Sequence, residues 1–160
     1  MTLAADLLEQ AVTLAHHGTG RPNQASVRRS ISAAYYACFH LLTGAAAQEV
    51  VRGQRPVERE AIRRSITHDD MKQVCLSSSR WWPDAVLPID LATVTRLCVR
   101  LQEARHSADY SLISPVRRPE AVRRVAEAQQ LFEAWARVKD EPAARAFLVA
   151  LVALRGFRRL

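Results

Sequence analysis

Two short clusters in the sequence set a permanent cation beside groups able to move a proton. In RRSITH, residues 63–68, Arg63 and His68 are separated by four residues. An arginine can hold a phosphate while a histidine acts as acid or base, which is what metal-free RNA cleavage needs. On an unbroken helix the two would point about 140° apart and would not share a substrate. Thr67, with Asp70 three residues on, reads as a capping box that starts a new helix and turns the corner between them. The plainer alternative is an exposed basic helix, with His68 in the first turn of the next one.

The second cluster is ARHSADY, residues 104–110. Leu91, Val94, Leu97, Cys98, Leu101, Ala104 and Ala108 recur every three or four residues and mark one helical face. Arg105 projects onto that apolar stripe rather than away from it. One reading is an internal salt bridge with Asp109, four residues on, which neutralises the buried charge. The other is that the end of the stripe forms an interface or cleft in which Arg105 meets an anion. Further along, Arg80, Trp81 and Trp82 sit in a loop from which they can stack on unpaired bases, although such a tryptophan pair also caps hydrophobic cores. The terminal LRGFRRL adds three arginines and a Phe, a basic tail able to touch phosphate.

Other chemistry is not signalled. GTGRP lacks the GK[ST] ending of a phosphate-cradling loop and reads as a turn. The histidines form no HExxH and have no carboxylates at zinc-site spacing, so neither metal nor cofactor is expected.

The elements that must position these residues are helical. Residues 2–17 form a first helix, with Thr2 as cap and Leu3, Leu7, Leu8, Ala11, Leu14 and Ala15 inward. A long second helix, roughly 24–52, carries Val27, Ile31, Ala34, Tyr35, Cys38 and Leu42 on its main stripe. Tyr36, Phe39 and His40 widen that stripe, which predicts neighbours on more than one side. A short helix reaches about Ile66, another runs from Thr67 to about Ser77, and a loop over 77–88 leads to a helix over 91–108 with Asp90 as its cap. SLISPVRRPE is a connection, after which Val122, Val125, Gln129, Phe132 and Trp135 follow at helical spacing. Asp140 and Pro142 read as cap and first turn of a last helix over about 141–157, with Ala143, Phe147, Ala150, Leu151 and Leu154 inside. No segment alternates like a strand. The expectation is one all-α domain over 1–160, an antiparallel up-and-down bundle with short extra helices and a C-terminal helix.

The 160 residues, 49% hydrophobic and 24% charged, suit one globular domain. Lys plus Arg is 23 against 16 acidic residues, a net charge of +7, and Lys72 and Lys139 are the only lysines. An excess built from arginine leans towards nucleic acid or another acidic partner, and also follows from base composition in a genome. Cys38, Cys75 and Cys98 lie in apolar-periodic segments without a CxxC pair, which predicts reduced, buried thiols in a cytoplasmic protein. No signal peptide or membrane span is expected.

Two strings resemble the HEPN (higher eukaryotes and prokaryotes nucleotide-binding) domain. SVRRSISAAYYACFHLL, residues 26–42, is similar to that superfamily's long second helix, where an RxxIxxxYYAxFH-type string recurs in bacterial members. QEARHSADY, residues 102–110, resembles the end of its third bundle helix. Together the resemblance spans about residues 3–135. It implies a helical homodimer with the cleft between protomers, and a metal-independent ribonuclease with Arg and His four to six residues apart. Relatives of this kind serve as toxins, in phage defence or in RNA processing, and some pair with a small nucleotidyltransferase antitoxin. Others only bind RNA or dimerise. At the location the resemblance indicates, the catalytic candidates are Arg105, His106 and Tyr110, with Tyr110 standing where a His is common. Arg63 and His68 have the family spacing but lie between bundle helices, and are the alternative catalytic pair. Arg64, Arg80 and Trp82 are the candidate RNA contacts. Two helical faces meeting across a two-fold axis would leave a polar cleft in which each Arg105 binds phosphate, with Asp109 holding the guanidinium otherwise. The function expected is RNA binding, with ribonuclease activity of a toxin or phage-defence type. The alternative is a non-catalytic dimerisation module for an acidic protein partner.

Overall fold

A computed structural model describes the backbone of residues 2–157 and the side chains of residues 2–153. Among these residues the chain is helical and holds no strand. The elements are α1 (Leu3–Ala15), α2 (Gln24–Val50), α3 (Pro56–Ser65), α4 (His68–Leu76), α5 (Ile89–Tyr110), α6 (Arg118–Val138) and α7 (Pro142–Phe157). A single 3-10 turn, Ser78–Arg80, lies in the loop before α5. The all-α bundle expected from the spacing is what forms. The readings of Leu154 as inward and of LRGFRRL as a basic contact lie outside the described side chains.

Helix α2 is the centre, packed against α1, α3, α5, α6 and α7. It can accept neighbours on so many sides because Ser30, Ala33, Ala34, Ala37, Ala46 and Ala47 are buried small residues that let helices approach closely. Tyr35, Ile31 and Leu42 fill the space between, each fully buried. Across the bundle, Leu91, Leu97, Leu101 and Leu131 complete the same core. Helix α1 meets α2 through Ala4, Ala11 and Ala15, while Leu7, Leu8 and Leu14 are half-buried and Leu3 is exposed. The alanines set the line of contact, so the leucines expected to face inward are moved to its flanks. Cys38, Cys75 and Cys98 are free thiols in the interior.

Most helix ends follow their local signals. Thr2 Oγ1 accepts from the Ala5 amide at 3.3 Å, and Thr67 with Asp70 forms the reciprocal capping box of α4. Three boundaries differ from expectation. Asp90 is not the cap of α5 but lies in its first turn, where Arg137 of α6 binds it with two nitrogens at 2.8 and 3.1 Å. Arg118, Pro119 and Glu120 belong to α6 rather than to the connection, with Arg117 at the cap, because Pro119 occupies a first-turn position whose amide would have no helical partner. The last helix begins at Pro142, so Glu141 stands ahead of it where Asp140 was expected.

Long-range bonds from arginine and glutamine fix the connection after α5. Arg28 of α2 donates to the carbonyls of Ala108, Ser111 and Ser114 at 2.8–2.9 Å. Gln24 exchanges two bonds of 2.9 Å with the Val116 backbone. The last turn of α5, which carries Arg105 to Tyr110, is thereby tied to α2. Core burial predicts that Leu101→Ala destabilises the fold by about 2–5 kcal/mol, whereas Leu76→Ala, at an exposed position, changes stability by about 0.5 kcal/mol or less. Urea unfolding of the two variants checks this, with the midpoint falling for the first alone.

Candidate functional site

The Arg105 side chain is only 12% exposed. Its guanidinium carbon lies 5.3 Å from the ring centre of Tyr35 and 5.7 Å from that of Tyr36, so two aromatic faces of α2 receive the charge. Nη1 donates to the Tyr36 hydroxyl at 3.3 Å and stands 3.6 Å from Asp109 Oδ2. Asp109 is shared, because its other oxygen accepts from the Ser32 hydroxyl. Nε is buried and has no hydrogen-bond partner among the described residues. Arg105 is thus held on one side by α2 and borders a groove on the other.

That groove runs between the start of α4 and the second half of α5 and has a volume of about 640 Å3. His68 and Lys72 line it from α4, Arg105 and His106 from α5. The first turn of α4 puts His68 there, and the capping box holds that turn in place. His68 Nδ1 is 2.8 Å from the Tyr35 hydroxyl. A phenol can donate to a neutral imidazole or accept from an imidazolium, so this contact follows the ring through both states. Burial pushes the Tyr35 phenol well above its ordinary range, so it keeps its proton. The His68 ring packs 4.4 Å from Phe39 and 5.6 Å from Tyr36, centre to centre. Burial first, and the Arg105 charge second, hold its pKa below the ordinary value, against an opposing pull from Asp69. His68 is therefore a neutral base at pH 7, with one nitrogen anchored.

The two sequence clusters thus divide differently from their spacing. Arg105 from one and His68 from the other border the same groove, with His106 between solvent and the α5 wall. The Tyr110 ring lies 4.9 Å from that of His106, centre to centre and tilted by 46°, and is exposed. Arg63 does not line this groove; with His40 it lines a separate cavity, against Gly44. Arg64 points outward and pairs with Glu60 at 2.9 Å, and Arg80 is exposed on the 3-10 turn. Trp82 is half-buried against the core, while Trp81 donates to the Val74 carbonyl at 3.0 Å and packs on Phe147. Asp109 is 3.6 Å from Arg105, four residues back, as the internal pair would have it.

Sequence reasoning did not assign Ser32, Tyr35, Tyr36 and Lys72 to the site. The adjacent tyrosines were the available signal, since they broaden the α2 stripe towards the Arg105 side. Lys72 gave none, being an ordinary surface lysine paired to Glu103 at 3.1 Å. Among the described residues, no group of three or more His, Cys, Asp or Glu side chains is arranged to hold a metal ion.

Comparison of the chain with protein-family models, with curated proteins and with solved structures found no match. The site's chemistry therefore rests on its own geometry. A fixed cation, an anchored neutral imidazole and a second imidazole line one groove. The His68 ring is expected to titrate below about 6.5, the ordinary histidine value, in a proton NMR titration. Replacing the cation in Arg105→Gln removes the charge that opposes protonation, so the midpoint moves up. An unchanged or lower midpoint would show that the two groups do not sense each other.

Proposed function

We propose that this chain is a HEPN-like RNA-binding protein and that the α4–α5 groove is the site of a metal-independent ribonuclease. The observation that carries this reading is the convergence of Arg105, His68 and His106 on one groove. Transesterification of RNA asks for a base at the ribose 2′-hydroxyl, an acid at the departing 5′-oxygen and a cation for the charge gathering on phosphorus. His68, neutral at pH 7, takes the 2′-hydroxyl proton as that oxygen attacks the adjacent phosphorus. Arg105 offsets the charge of the pentacoordinate phosphate, and its spare donor capacity at buried Nε and the second terminal nitrogen is suited to oxyanions. His106 gives a proton to the 5′-oxygen as the P–O bond breaks. The products are a 2′,3′-cyclic phosphate and a free 5′-hydroxyl.

Tyr110, whose ring lies against His106, and Leu112 and Ile113, which follow the end of α5, are exposed, Ile113 at 94%. They support a homodimer in which a second copy covers that end of the bundle. A toxin or phage-defence role and a nucleotidyltransferase-type antitoxin follow from the resemblance, a cytoplasmic setting follows from the free, buried cysteines, and all three belong to the same proposal. The internal hold of Tyr36 and Asp109 on Arg105 favours a second reading, a non-catalytic interaction module for an acidic protein.

The test is cleavage of end-labelled single-stranded RNA in the presence of chelator. Arg105→Ala and His68→Ala are each expected to lose about 100-fold or more in rate. Activity that survives in both but is lost in Arg63→Ala would move the site to α3. A folded wild-type protein that leaves RNA intact, and binds it only weakly and with steep loss in salt, would establish the interaction module.

A further inference from the structure

Arg63 presents a separate anomaly. Helix α2 contains Gly44 in its interior, where glycine is unfavourable because it adds backbone freedom and no packing. A Cβ at this position would come within 3.1 Å of Arg63 Nη2 and 3.6 Å of its Cζ, and it would meet no other group so closely. The glycine makes a seat for the α3 guanidinium. Yet the guanidinium so seated has no ion pair or hydrogen bond among the described residues, and its Nε is buried. Of the carboxylates around it, Glu60 binds Arg64 at 2.9 Å, the cavity-lining Glu49 binds Arg145 at 2.6 Å, and Asp140, at the cavity lining beside Lys139, makes no ion pair with Arg63. Burial first and the Arg63 charge second, against an opposing pull from Glu60, hold the pKa of the neighbouring His40 below its ordinary value, and an imidazole carries no negative charge to offset the guanidinium in either state. A half-buried guanidinium without a counter-charge is costly unless something supplies one.

The space before it is a cavity of about 580 Å3, within the range of about 300–1,000 Å3 usual for small-molecule sites. Arg63, His40 and Gln48 give it a polar end, and Leu41, Phe132 and Leu148 give it an apolar wall. Lys139, beyond the end of α6, adds a second cation at its lining. We infer that this cavity binds a small oxyanion-headed molecule, with the phosphate or carboxylate on Arg63 and an apolar body along the α2–α6–α7 wall. Arg63 makes two parallel bonds to such a head, the geometry for which a guanidinium is built. The site is separate from the Arg105 groove and does not depend on RNA cleavage.

Thermal shift and calorimetric titration of the full chain test this, with phenyl phosphate, benzoate, inorganic phosphate and uncharged benzyl alcohol as probes. The expected result is saturable stabilisation by phenyl phosphate or benzoate, less by inorganic phosphate and none by benzyl alcohol. Which of the first two binds identifies the head group. Arg63→Gln is expected to weaken binding by about tenfold or more. Gly44→Ala supplies the readout that a merely structural arginine would not give. Its methyl displaces the flexible guanidinium, so binding weakens even though helix propensity raises Tm by about 2–4 °C. Absence of binding by either organic anion, or undiminished binding in both variants, would overturn the inference.

Discussion

Arg105 carries a charge that it cannot shed, and carries it within a helical stripe that is otherwise apolar. What makes that tolerable is the pair of tyrosine faces on α2, a hydroxyl at 3.3 Å and a carboxylate at 3.6 Å. These partners all lie towards α2, which obliges α2 and α5 to keep their register at this level. Arg28 reinforces it by holding the carbonyls that follow. The same guanidinium acts outward on His68, and Tyr35 links the two effects by touching both the cation and the imidazole. Burial of one arginine therefore ties α5 to α2, adds to the lowering of the His68 pKa that the ring's own burial begins, and gives the groove its fixed charge.

Local signals in the sequence were informative where the cause was local. The capping box of Thr67 and Asp70, the cap at Thr2 and the 3.6-residue periodicity of α2 and α5 all involve residues within a turn or two of one another. Asp90 was misread because its partner, Arg137, is 47 residues away, and an acidic residue one position inside a helix looks like a cap until that partner is known. The candidate site was legible in its parts and not in its grouping. Arg63 and His68 are neighbours in sequence but fall on opposite sides of a helix break, while His68 and Arg105 are brought together by packing across the bundle. No spacing rule reports such a meeting. Ser32 and Tyr35 were hidden for the same reason, as residues of a core helix whose polar atoms find distant partners.

The arginine excess also acquires a different meaning in the fold. Arg28 and Arg118 bind backbone carbonyls at the ends of α5 and α1, and Arg100 and Arg124 converge on the buried Glu127. Arg55, Arg64, Arg137 and Arg145 each pair with a carboxylate. Much of the positive charge is thus employed in closing helix ends and joining helices, for which the planar fork of donors is better suited than an ammonium. A net charge of +7 is then a weaker guide to partners than Arg63 and Arg105, cavity-lining arginines each with a buried, unpartnered Nε; Arg124, the third of that kind among the described residues, is already paired to Glu127.

The scarcity of lysine has a practical side. The chain has two, and one lies in each cavity: Lys72 beside Arg105 and Lys139 across from Arg63. Acylating reagents that attack side-chain amines ignore guanidinium groups, so they modify these two positions and leave the arginine-rich surface untouched. The extent of labelling at each, read by peptide mass, becomes an independent gauge of occupancy for the two sites in a single unaltered molecule.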